Sequence, residues 1–299
     1  MKVVGFTFVR NAVRNDYPVL ESLRSLLPLC DEVVVAVGRS DDDTLALIQG
    51  LDSPKIRVVE TEWDDTLREG GRVLALETDK ALAAVPADAD WAIYLQADEV
   101  LHEADYPAIR AGLARWAADE AVDGLLLEYA HFYATYDYLG DSPDWYRREV
   151  RVVRPGRGIY SYRDAQGFRK PPNQKLRVRL LAATVYHYGS VKQPAAMRHK
   201  LETFGRLWHS DEHMTALRAA HTAAATAAAA EFDYARIDSL QPFTGQHPAV
   251  MAARVARQNW HYAHDPRRNR LSFKNRVRVA VRRLTGYYLW EYRNYELLG

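Results

Sequence analysis

The chain has 299 residues, with 40 Lys and Arg against 39 Asp and Glu and a formal charge of +1. Its 48% apolar and 26% charged residues exclude disordered and collagen-like chains, and its length is enough for a large core plus an extension. The single cysteine, Cys30, excludes a disulfide framework and a multi-cysteine zinc site, and it suits a reducing, cytoplasmic setting.

Val3–Val9 is an apolar run broken by Arg10 and Asn11. It is too short for a signal peptide or a membrane span, and it reads as a buried strand. DYPVLESLRSLLPLC follows, with Asp16 placed to cap a helix and Pro18 suited to its first turn. A second strand is predicted over 32–37, then a helix in TLALIQGL after Asp42 and Asp43, and a third strand over 56–59. Residues 71–85 are predicted helical, stopped by Pro86; WAIYLQ is the fourth strand, followed by an acidic turn, a helix over 107–118 and the strand GLLLEYAHFY. This β-α-β alternation predicts an α/β fold, a mostly parallel sheet with helices on both faces. Ligands of such sheets collect at the carboxyl ends of the strands, here residues 8–11, 38–43, 60–65 and 96–99.

Beyond residue 130, Tyr, Trp, Arg, Pro and Gly dominate, a composition of long structured loops around one or two strands. From Pro194 onward the chain is expected to be helical, with an Ala-rich stretch at 216–230 and a basic tail. Residues 251–299 carry 11 basic and 3 acidic side chains, which leaves the preceding 250 residues acidic overall. The expected division is 1–193 as the sheet domain and 194–299 as a helical C-terminal region.

The most informative segment is WAIYLQADEVLHE, a buried strand that delivers Asp98 and Glu99 to the sheet edge, where hard divalent cations find oxygen ligands. With VGRSDDDTLALI and VVGFTFVRNA it resembles the GT-A fold glycosyltransferases, close to family 2. In that family the fourth strand ends in D-x-D; here Gln96, Ala97 and Asp98 occupy those positions. The resemblance implies a nucleotide site formed by Thr7, Phe8, Val9, Arg10, Asn11, Ser40, Asp42, Gln96 and Ala97. It also implies a divalent ion, Mn2+ or Mg2+, on Asp98 and on His187 of TVYHYGSVKQP, with Gln96 removing one ligand of the family pattern. A carboxylate must activate the acceptor hydroxyl if the anomeric centre inverts. Asp164 in YSYRDAQGFR is the first candidate and Glu149 the second, the latter set in a strand where pairing with a neighbouring Arg competes.

The implied activity is sugar transfer from a nucleotide-sugar donor to a glycan, lipid-linked or protein acceptor, as in bacterial surface polysaccharide synthesis. Two alternatives share the fold. A nucleotidyltransferase making a nucleotide sugar would need a glycine-rich loop that FTFVRNAVRND lacks, and a non-catalytic sugar-nucleotide-binding module is kept open by Gln96. HSDEH at 209–213 fits an inverted zinc-peptidase pattern without its further ligand, a distant third. The acidic body argues against a nucleic-acid partner. The basic tail, with apolar residues interleaved, is a candidate for peripheral contact with the inner face of the membrane.

Overall fold

The computed structural model describes residues 1–67, 70–208, 234 and 237–299. In chain order the first half runs β1 (Val3–Val9), α1 (Val19–Leu26), β2 (Glu32–Gly38), α2 (Thr44–Gln49), β3 (Ile56–Thr61), α3 (Arg72–Ala83), β4 (Trp91–Tyr94), β5 (Glu99–Leu101), α4 (Tyr106–Trp116) and β6 (Gly124–Ala134). Then come β7 (Tyr138–Gly140), β8 (Arg148–Val153), β9 (Tyr160–Tyr162), β10 (Gly167–Lys170), β11 (Gln174–Val191), α5 (Pro194–Trp208), β12 (Leu240–Pro242), α6 (Ala252–Ala256), α7 (Phe273–Thr285) and β13 (Tyr295–Leu297).

A strand apolar on both sides must be covered on both sides, and β1 is buried at every position. It lies between β2 and β4, parallel to each, and β3 extends the parallel set beyond β2. The sheet order is β3-β2-β1-β4-β8-β6-β11-β10-β9, with β8 antiparallel to both neighbours and β6 parallel to β11. One apolar layer packs Leu23 and Leu26 of α1 and Ile109 and Leu113 of α4 against Trp91, Ile93 and Val35. The opposite layer packs Val73, Leu74 and Ala81 of α3 against Phe6, Val34, Tyr94 and Phe168. The α/β class and the GT-A-like arrangement are therefore those expected.

Three local features differ from the sequence reading. Asp16 does not cap α1: it adopts a left-handed φ of 48°, its side chain pairs with Arg254 at 2.6 Å, and its carbonyl accepts from Lys192. The stretch after residue 130 contains four short strands before β11, and β11 runs for 18 residues. Its alternation is interrupted where its register against β6 shifts, between Leu180 and Thr184 and between His187 and Ser190. Glu99 turns inward instead of reaching the sheet edge, and Arg151 grips it with two bonds of 2.9 Å.

After α5 the chain returns to the sheet twice, β12 beside β7 and β13 beside β11. The HSDEH segment and the Ala-rich stretch lie outside the described residues. No described helix is long and apolar enough to cross a membrane.

Candidate active site

A cavity of about 210 Å3 opens where β1 and β4 end. Phe8, Val9 and Arg10 line it from β1 and its exit loop, and Gln96, Ala97 and Asp98 line it from the turn after β4. His187 of β11, Lys200 of α5 and Asp164 of the β9–β10 turn close it. Eight of the residues proposed from sequence thus meet in one place, although Asp98, Asp164 and His187 are far apart along the chain.

The other proposed residues lie outside that lining. Thr7 is buried within β1. Asn11, Ser40 and Asp42 fasten the loop after β1 to the loop after β2 and do not line the cavity. Ser40 Oγ accepts from Asn11 N at 3.0 Å, Asn11 Oδ1 accepts from Asp41 N at 2.8 Å, and Asp42 accepts from Arg14 N at 2.8 Å and from Thr44 N at 3.0 Å. Glu149 is buried in β8 and its partner is Gln166 Nε2 at 2.9 Å, not an arginine; Arg148 pairs with Glu128 instead. Burial pushes the Glu149 carboxyl up to about 8.

Trp63, just beyond β3, packs across Gly38 so closely that a Cβ there would sit 2.3 Å from its Nε1. Its ring centroid is 5.7 Å from that of Phe8, and the Arg10 guanidinium lies 5.5 Å from the Trp63 ring centroid. Arg10 is held by two bonds to Asp65, at 2.6 and 3.2 Å. The result is a pair of aromatic rings, tilted by 52° to each other, beside a cation in the cavity lining. Trp63 falls in the 60–65 stretch expected to meet ligands, but no motif singled it out, because one aromatic just past a strand has no pattern of its own.

The deepest part of the site is a chain of hydrogen bonds. His131 Nε2 lies 2.7 Å from the Tyr146 carbonyl, which only accepts, so that nitrogen carries the proton. Burial, with His187 adding to it, pushes His131 down to about 3, so the ring is neutral and its Nδ1 offers a lone pair. His187 Nδ1, 2.9 Å away, must donate to it. That leaves His187 Nε2 as the ring nitrogen that faces Asp98 Oδ2, at 3.7 Å.

The gap between Asp98 and His187 is kept clear by Gly189, whose Cβ would lie 2.6 Å from Asp98 Oδ2 and 2.7 Å from His187 Nε2. Lys200 Nζ stands 3.5 Å from the same oxygen and donates to the Gly189 carbonyl at 2.7 Å. Burial by itself would raise the Asp98 carboxyl, but His187, Lys200 and Lys192 outweigh it and hold the group well below the usual carboxylate range. Lys192 is wholly buried under the site, and burial pushes it down to about 7.

A carboxylate oxygen and an imidazole nitrogen facing across such a gap fit a divalent cation, whose binding would displace any proton from that nitrogen. Among the described residues no three His, Cys, Asp or Glu side chains gather around one point, so such an ion would need ligands from a bound diphosphate.

Asp164 also borders a second cavity of about 810 Å3, lined by Asp79, Tyr160, Ser161, Tyr162 and the start of α3. Burial raises its carboxyl above the ordinary value.

No family model matches the chain, and no curated protein matches it in sequence. Among solved structures it is similar to S. aureus TarS at 14% identity and a TM-score of 0.40, over 68% of this chain and 39% of that one. A second match is TarS residues 1–349 in complex with UDP, at 13% identity and a TM-score of 0.39, over 72% of this chain and 68% of that one. A third is glucosyl-3-phosphoglycerate synthase from Mycobacterium tuberculosis in complex with Mn2+, UDP and phosphoglyceric acid, at 18% identity and a TM-score of 0.30, over 44% and 43% of the two chains. The chain thus spans about two fifths of the length of the first and third. At these scores the likenesses carry no argument about chemistry, which rests on the chain's own residues.

Proposed function

We propose that this chain transfers a sugar from a nucleotide-sugar donor to an acceptor hydroxyl, with inversion at the anomeric carbon. The observation that carries the reading is the position of Asp164, a burial-raised carboxyl at the border between the cavity of Asp98 and His187 and the larger second cavity. In this reading the nucleobase lies against Phe8, Val9 and Trp63, and Arg10 and Lys200 meet the charge of the diphosphate. A divalent ion held by Asp98 and His187 would supply Lewis-acid neutralisation of that diphosphate.

Asp164 accepts the proton of the acceptor hydroxyl while the oxygen bonds to the anomeric carbon. The bond from that carbon to the β-phosphate oxygen breaks, and the nucleoside diphosphate leaves with the electron pair. A desolvated carboxylate is the stronger base for this step.

The test is a panel of nucleotide sugars incubated with acceptor extracts, reading release of nucleoside diphosphate. Asp164→Asn should lower turnover by about 10²–10⁴-fold while donor binding persists. Turnover unchanged in that variant removes the base assignment. Donor binding without turnover in the wild type, across the panel, leaves a sugar-nucleotide-binding module.

A further inference from the structure

Helix α7 is amphipathic the wrong way round for a helix that packs on a core. Its polar side faces the protein: Asn275 is buried and donates to Asp144 at 2.7 Å, and Arg278 donates to Asp144 at 2.9 Å and to the Pro143 carbonyl at 2.8 Å. Its apolar stripe, Phe273, Val277, Ala280, Val281 and Leu284, recurs at helical spacing on the other side. Phe273 is 81% and Leu284 85% exposed, and among the described residues no side chain of this helix joins an apolar core cluster.

The chain after the helix folds back along it, with Arg278 Nε donating to the Leu289 carbonyl and Lys274 Nζ 6.0 Å from the Trp290 ring. That returning segment carries three further exposed aromatics, Tyr287, Trp290 and Tyr292, at 61, 62 and 55% exposure. Exposed Lys274, Arg276 and Arg283 of the helix flank its apolar stripe. The nearby carboxylate, Glu291, is taken by Arg147 and Arg293.

We propose that this face docks on an anionic lipid surface. An apolar stripe edged by long basic side chains lies in the plane of a headgroup layer, with tryptophan and tyrosine at the boundary between apolar and wet regions. The basic flanks match a negative surface and oppose the alternative of a second copy, because a two-fold contact through the stripe would bring two sets of like-charged arginines together. The helix is fastened at Asp144, next to Trp145 and Tyr146, whose rings pack against His131. Docking needs no nucleotide, so it stands or falls apart from the glycosyl-transfer reading.

The experiment is co-sedimentation of the full chain with vesicles of phosphatidylcholine alone, or mixed with phosphatidylglycerol, at low and high salt. The chain should pellet with the mixed vesicles at low salt and be released at high salt. Leu284→Asp and the double variant Arg276→Glu/Arg283→Glu should each weaken partitioning at least about tenfold, with unchanged melting temperature because these side chains are solvent-exposed. A wild-type chain that stays in the supernatant with anionic vesicles at low salt overturns the proposal. So does partitioning that neither variant alters, or a vesicle-free dimer that Leu284→Asp dissociates, which would give the face to a second copy.

Discussion

Gly189 has no room for a side chain, since a Cβ would stand within 2.7 Å of both Asp98 Oδ2 and His187 Nε2. Gly189→Ala should therefore push the two groups apart and weaken Mn2+-dependent nucleotide binding, read by calorimetry, by at least about tenfold. Asp98→Asn tests the same gap through charge. It should remove the Mn2+-dependent part of nucleotide binding and also lower the melting temperature, because Lys200 and Lys192 lose their counter-charge. The depressed Asp98 carboxyl stabilises the fold above its unfolded value and stops doing so as pH falls through the folded one. Glu149 has the opposite sign. Its carboxyl is raised from 4.5 to about 8, so its stabilising contribution is complete below 4.5 and is lost as pH rises towards 8. Thermal melts of Glu149→Gln should be flatter over that window, the wild type losing up to about 1.4 kcal/mol per pH unit relative to the variant. Equal slopes in the two proteins would contradict the buried, protonated Glu149. Asp98 and His187 were legible because their segments carry a family-like pattern. His131, which occupies the Nδ1 of His187, was not, since one histidine inside an apolar strand has no signal until β6 and β11 are paired.

At the scale of elements, the loop after β2 was legible as a turn before a helix but not as a staple. Asp42 and Ser40 sit in a pattern that suggests nucleotide contact, yet their oxygens receive hydrogen bonds from Arg14, Thr44 and Asn11. Asp42→Ala should therefore cost about 1–2 kcal/mol of stability and leave nucleotide affinity unchanged. A loss of affinity at unchanged melting temperature would return Asp42 to the binding site. The turn after β4 is set by a second ion pair. Glu99 is buried with Arg151, accepts from the Tyr129 hydroxyl at 2.7 Å, and accepts from Gln96 N at 3.0 Å, which orients the peptide leading to Asp98. Arg151→Met should destabilise the fold by about 3–5 kcal/mol because it strands a buried carboxylate. Replacing both partners by apolar residues should restore much of that stability without restoring the turn.

Across the whole molecule, the parallel half of the sheet was readable because valine-rich strands alternate with helices of ordinary length. Among the antiparallel strands, β8 was readable in REVRVV, but β7, β9 and β10 were not, because each has three or four residues set among Tyr, Pro and Gly, where no periodicity persists. The two carboxylates offered as the acceptor base separate only in three dimensions: Asp164 borders both cavities, and Glu149 lies inside the sheet beside Gln166. The site is thus assembled from the ends of β1 and β4, the C-terminal part of β11, a hairpin turn and α5, and the account as a whole depends on what that assembly binds. Calorimetric titration of the full chain with each nucleoside diphosphate, with and without Mn2+, tests this most directly. The account predicts that at least one binds, and that Mn2+ tightens it. Absence of heat or saturation with every nucleoside diphosphate, in the presence and absence of Mn2+, would contradict it.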